Sequence, residues 1–145
     1  MPAFANPQWD EIASLLRRVR TIAVVGLSEN PARPSHGVAA GLQRFGYRIV
    51  PVTPTASRIL GERCVPDLDH LTDSLAPGET VDLIDVFRRP EHVQDIVADC
   101  IRLKLPALWL QDGVVDPIAA QRARDAGILT IMDRCTFRDR ARLGH

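Results

Sequence analysis

One glycine, two serines and an arginine fall close together as Gly26, Ser28, Arg33 and Ser35, in the run IAVVGLSENPARPS from Ile22 to Ser35. These are residue types that hold phosphate. A glycine lets the backbone come close to a ligand, hydroxyls donate to phosphate oxygens, and a guanidinium neutralises them. The flanking residues say how they would be positioned. Ile22–Gly26 is apolar and β-branched and reads as a buried strand. Ser35 stands where an N-cap belongs, ahead of Val38, Leu42 and Phe45 on one helical face, with Gly46 as the stop. A buried strand that turns through glycine into a helix opens nucleotide-binding α/β sheets, because the helix start offers unpaired N–H groups and a partial positive charge. The expectation is a phosphate-bearing ligand at this turn.

Composition narrows the class. With 145 residues, 46% hydrophobic and 25% charged, the chain reads as one globular domain with a proper core. Eighteen basic and eighteen acidic residues cancel, so the electrostatic footprint of a general nucleic-acid binder is missing. Cys64, Cys100 and Cys135 show no CxxC spacing, which indicates neither a disulfide framework nor a zinc site. His36, His70 and His92 have no partner spacing for a metal or a triad and read as surface or cap residues. No signal pattern and no apolar run of membrane-spanning length is visible, so a cytoplasmic protein without membrane contact is expected.

Taken in order, strands and helices alternate. Asn6-Pro7 reads as cap and first position of a helix with an Ile12, Leu15, Leu16, Val19 stripe, which would pack residues 1–20 on a domain formed by 21–145. After the Ser35 helix come a strand at Tyr47–Val52, a short edge strand around Glu62–Val65, a small helix at Asp67–Leu75 and a buried strand at Val81–Val86. Pro90 starts the next helix, Pro106–Leu110 is a strand, Asp116-Pro117 caps a helix stopped at Gly127, Ile128–Met132 is the last strand, and Asp133–Leu143 is a polar tail that a helix could occupy. This alternation implies a doubly wound parallel sheet of five to six strands with helices on both faces. In the order 3-2-1-4-5-6 the chain reverses between the strands at Ile22 and Val81, so Leu27–Ser35, Val52–Pro54 and Phe87–Pro90 border one crevice.

A dinucleotide would want GxGxxG at the turn and an acid after the second strand. Here the turn reads Gly26-Leu27-Ser28-Glu29-Asn30-Pro31 and the strand ends Val52-Thr53-Pro54. No P-loop is present either. The segments VVGLSENPARPSHGVAAGLQRFGYRIVPVTP, VDLIDVFRRPE, LWLQDGV and MDRC, in that order, resemble the small stand-alone CoA-binding proteins of bacteria. Their Rossmann-like fold is similar to the CoA-binding domain of the succinyl-CoA synthetase alpha subunit. The resemblance spans about Thr21 to Leu143 and implies coenzyme A as ligand. It implies ligand contacts at Gly26, Leu27, Ser28, Arg33, Ser35, Val52, Thr53, Phe87 and Arg88. Two positions depart from the pattern: Thr53 where asparagine is usual, and Asp112 where an apolar residue is usual.

The resemblance carries no enzyme with it. The synthetases supply their phosphorylated histidine and nucleotide grasp from regions without a counterpart here, and the chain shows no nucleophile–base pattern. The reading is a non-catalytic CoA carrier, sensor or partner module, acting alone, as a homodimer or with another protein. Two alternatives stay open: an NAD(P)-dependent oxidoreductase with an atypical turn, and a small acyl-CoA-handling enzyme using Gln111, Asp112 or Cys135. Cys135, just past the last strand, is also a candidate thiol site, while Trp109 reads as core or interface.

Overall fold

The computed structural model describes residues 4–144. Its centre is a five-stranded sheet in the order β2-β1-β5-β6-β7, formed by Thr21–Val25 (β1), Arg48–Val52 (β2), Leu83–Val86 (β5), Ala107–Leu110 (β6) and Leu129–Met132 (β7). Every pairing is parallel. Such strands are covered on both faces, which is why β1, β5 and β6 are buried along their whole length and are apolar apart from Thr21 and Asp85. The expected sixth strand is reduced to a trace. Arg58–Ile59 (β3) and Glu62–Arg63 (β4) form their own small hairpin, and only Val65 bridges in parallel to Val52 at the sheet edge.

The period-two alternation of the strands divides the core. Ala23, Val25, Ile84, Val86, Leu108 and Leu110 face α3 (Val93–Arg102), α4 (Pro117–Asp125) and the 3-10 helix Leu68–Ser74. Ile22, Val24, Leu83, Trp109 and Ile131 face α1 (Trp9–Arg18), α2 (Pro34–Arg44) and α5 (Thr136–Arg142). Trp109 is core: it is wholly buried, and its indole N–H donates to the Arg134 carbonyl at 2.7 Å.

Two local expectations are corrected. The first helix starts at Trp9 after Gln8, not at Asn6-Pro7. The Asn6 amide lies beside β7, donating to the Met132 carbonyl at 2.9 Å and accepting the Met132 N–H at 2.8 Å, so it closes the exposed sheet edge as a backbone strand would. Ser35 is inside α2 rather than its cap; Arg33 holds the cap position without a side-chain hydrogen bond. The helix allowed for the polar tail after Asp133 is present as α5, where Gly41 of α2 leaves room for the Phe137 ring, which would lie 2.3 Å from any Cβ placed there.

Candidate functional site

The ladder hydrogen bonds run one residue beyond the carboxyl ends of the strands. Gly26 N–H donates to the Val52 carbonyl at 3.0 Å, Phe87 N–H to Val25 at 2.8 Å, Gln111 N–H to Val86 at 3.3 Å and Asp133 N–H to Leu110 at 2.8 Å. Thr53, Gly26, Phe87, Gln111 and Asp133 therefore follow the paired rows as the last residues of one continuous edge. Gly26 is at the reversal point between β1 and β5, where a doubly wound sheet opens its crevice. Its φ of +83° suits glycine, and a Cβ there would meet the Phe87 carbonyl oxygen at 2.2 Å and Arg88 Cδ at 2.9 Å. Close passage of the two chains thus depends on the missing side chain.

The loop after Gly26 is internally braced. The Ser28 N–H donates to the Ser35 hydroxyl at 3.0 Å, the Asn30 N–H to the Ser28 hydroxyl at 3.1 Å, and the Ala32 N–H to Asn30 Oδ1 at 2.9 Å. Leu27 is buried in the core. Ser35, expected as a cap, instead ties helix to loop, so the turn is shaped in advance. Thr53 is also buried; its hydroxyl meets that of Thr55 at 3.0 Å and its N–H donates to Val65 at 2.8 Å.

The structure thus gathers Gly26, Leu27, Ser28, Ser35, Val52, Thr53, Phe87 and Arg88 around one edge. Arg33 is exposed at the start of α2, and no described contact joins it to Arg88. Neither guanidinium has an ion-pair partner among the described residues, whereas the neighbouring Arg89 is paired with Glu91 at 2.9 Å. Phe87, next to Arg88 in the chain, is half-buried. Two unneutralised guanidiniums and an aromatic ring suit a phosphate-bearing adenine nucleotide, so the residues present fit the coenzyme A implied by the sequence.

The far half of the edge is held by charge. Arg138 forks onto Asp112 with both bonds at 2.9 Å, and this holds the Asp112 carboxyl below its usual range. Arg134 forks onto Asp139 at 2.6 and 3.0 Å. Cys135, partly exposed, sits between these pairs at the start of α5 and within electrostatic reach of Arg138. The Gln111 side chain is buried against Thr136, and Thr136 against Asp85, a fully buried carboxyl on β5. Reading for periodicity passed over Asp85; the only signal was an acid inside the apolar run VDLIDV.

A cleft of about 670 Å³ opens at the opposite, amino end of the sheet. Its acids are already engaged: Asp82 accepts the N–H groups of Arg20 and Thr21, and Glu79 the Thr21 hydroxyl. Among the described residues no group of three or more His, Cys, Asp or Glu could hold a metal ion, and no helix is long and apolar enough to cross a membrane.

A glycine crossing and free guanidiniums at the reversal of a parallel α/β sheet are features shared with nucleotide-binding modules. A family profile described as "CoA binding domain" matches residues 20–140, and the chain belongs to that family. It is 37% identical over 130 residues to the uncharacterized protein YneT of Bacillus subtilis, covering 90% of this chain and 92% of that one. A solved structure from Thermus thermophilus superposes with a TM-score of 0.84 at 34% identity, covering 94% of this chain and 99% of that one. An acetyl-coenzyme A synthetase of Ca. Korarchaeum cryptofilum shares the fold alone: TM-score 0.62, 20% identity, 80% of this chain and 27% of that one.

Proposed function

We propose that the carboxyl edge of the sheet binds coenzyme A or an acyl-CoA, and that the protein acts without catalysis as a carrier, sensor or partner module. The observation that carries the reading is Arg88, an exposed guanidinium with no ion-pair partner among the described residues, whose stem packs against Gly26 at the reversal of the sheet. In this reading Arg33 and Arg88 neutralise phosphates, the Phe87 ring offers a face to the adenine, and Ser28, Ser35, Val52 and Thr53 shape the floor. When bound, CoA would supply a thiol on a long flexible arm. β7 is two strands from β5, about 10 Å at roughly 4.8 Å per strand, so that arm could reach Cys135.

A role without catalysis is supported by how two of the three candidate groups are occupied: the Gln111 side chain is bound to Thr136 and Asp112 to Arg138. Thr53 in place of an acid after β2, and the lack of the later glycines, weigh against NAD. Thermal melts with CoA, dephospho-CoA, NAD and ATP test the reading. A ligand at one hundred times its Kd adds about 2.7 kcal/mol, or roughly 5–11 °C in Tm for a domain of this size. CoA is expected to give the largest shift; a larger one with NAD would overturn the assignment.

A further inference from the structure

Asp85 is the group that this site leaves unused. It is fully buried in β5, in register with Val24 of β1 and Trp109 of β6, on the face covered by α1, α2 and α5. Its Oδ2 accepts the Thr136 hydroxyl at 3.0 Å, while Oδ1, equally buried, has no partner among the described residues. Thr136 opens α5 and is gripped twice by Gln111, whose Oε1 accepts its N–H at 2.9 Å and whose Nε2 donates to its hydroxyl at 3.3 Å. Thr136 therefore links the helix both to the loop after β6 and to the carboxyl on β5.

Among the described residues no cation answers that carboxyl. β1 and β6 carry no ionisable residue. On α5, Asp139 is engaged with Arg134, Arg138 with Asp112, and Arg140 and Arg142 lie over Phe45 and Trp9. On α2, His36 and Arg44, and on α1, Asp10, Glu11, Arg17 and Arg18, make no contact with it. Cys135 precedes Thr136 at the helix start. An ionised Asp85 would leave charge on an oxygen with no donor, in apolar surroundings, which is strongly disfavoured. Burial pushes its pKa up to about 8, opposed only by the Thr136 hydroxyl.

We propose that Asp85 works as the neutral acid and is a positioning residue: protonated, it lets Thr136 and the amino end of α5 close over it at the carboxyl edge, and ionised, its buried charge draws water and opens that seat although the Thr136 hydroxyl alone would favour the anion. Cys135 and Arg134, one and two residues before Thr136, move with it. The effect on CoA rests on the reading above; the latch itself does not.

Hydrogen exchange of the ligand-free protein over residues 136–142, corrected for intrinsic rates between pH 5 and 9, tests the latch. The seated state holds a proton that the open state releases. Protection should therefore fall about tenfold per pH unit as the pH rises toward about 8 and then level off. Asp85→Asn, neutral at every pH, should remove the slope. If that variant does not fold, Thr136→Val, which removes the one donor that favours the ionised form, should carry the slope to higher pH. A wild-type profile without a slope, a slope retained in Asp85→Asn, a slope that ends at lower pH in Thr136→Val, or an equal slope in α3 on the opposite face would each overturn the proposal. CoA titrations at pH 6 and 9 separate the two readings. A latch slope without CoA binding sinks the ligand assignment alone, and CoA affinity that is pH-independent beside a flat exchange profile sinks the latch alone.

Discussion

Replacing Gly26 by alanine perturbs the place where β1 and β5 pass closest to the proposed ligand. Two costs add. A residue with a Cβ in the left-handed region near φ +83° loses about 1–2 kcal/mol relative to glycine. The new methyl would also lie 2.2 Å from the Phe87 carbonyl oxygen and 2.9 Å from Arg88 Cδ, against about 3.4 Å for ordinary contact. The first neighbour is backbone held by the Phe87 N–H bond to Val25, so it yields only if the ends of β1 and β5 part. Overpacking of that kind costs about 1–3 kcal/mol. The total, about 2–5 kcal/mol, corresponds to a fall in Tm of roughly 4–20 °C. Thermal unfolding by circular dichroism measures it, with Gly37→Ala as the control. A Cβ at Gly37 meets nothing within 4 Å, and alanine within a helix should gain about 0.5–1 kcal/mol. If Gly26→Ala melts within a degree or two of wild type, the close crossing is not what shapes this edge.

Other substitutions test separate parts of the account. Arg88→Ala removes a charge-assisted bond of about 1.5–3 kcal/mol and should weaken CoA roughly 10- to 150-fold by calorimetry, while Arg89→Ala, already paired with Glu91, should change little; equal losses would mean a diffuse basic effect. Asn6→Ala leaves both the Met132 N–H and carbonyl without their partner. About 1–3 kcal/mol of stability should go with it, with faster exchange confined to β7; unchanged exchange there would refute the edge-closing role. Incubation with CoA disulfide should form a mixed disulfide at Cys135, the partly exposed cysteine on this edge, by thiolate attack that releases one CoA thiolate. Cys100, buried and pushed up to about 12, should stay unmodified; peptide mapping that finds the adduct elsewhere would contradict the placement.

The sheet and its reversal point were legible because parallel strands leave an unbroken apolar signature and the connections follow a handed rule. Gly26 was legible for the same reason, as the break in such a run. What escaped depended on partners far along the chain. Asn6-Pro7 has the form of a helix start, yet Asn6 bonds to Met132, 126 residues away. Ser35 has the form of a cap, yet its hydroxyl is taken by the loop it closes. α5 could be read as a helix within a polar tail, but what holds it could not: one ring fitted over Gly41, and Thr136 on Asp85. Asp85 itself interrupts a strand whose burial, and therefore whose proton, only the assembled layers determine.

Isothermal titration of the protein with CoA, beside NAD under the same conditions, tests the central claim most directly. One saturable CoA site per chain, lost or strongly weakened in Arg88→Ala and with no comparable NAD binding, is the expected result. Tighter binding of NAD, or a CoA isotherm that Arg88→Ala leaves unchanged, would contradict it.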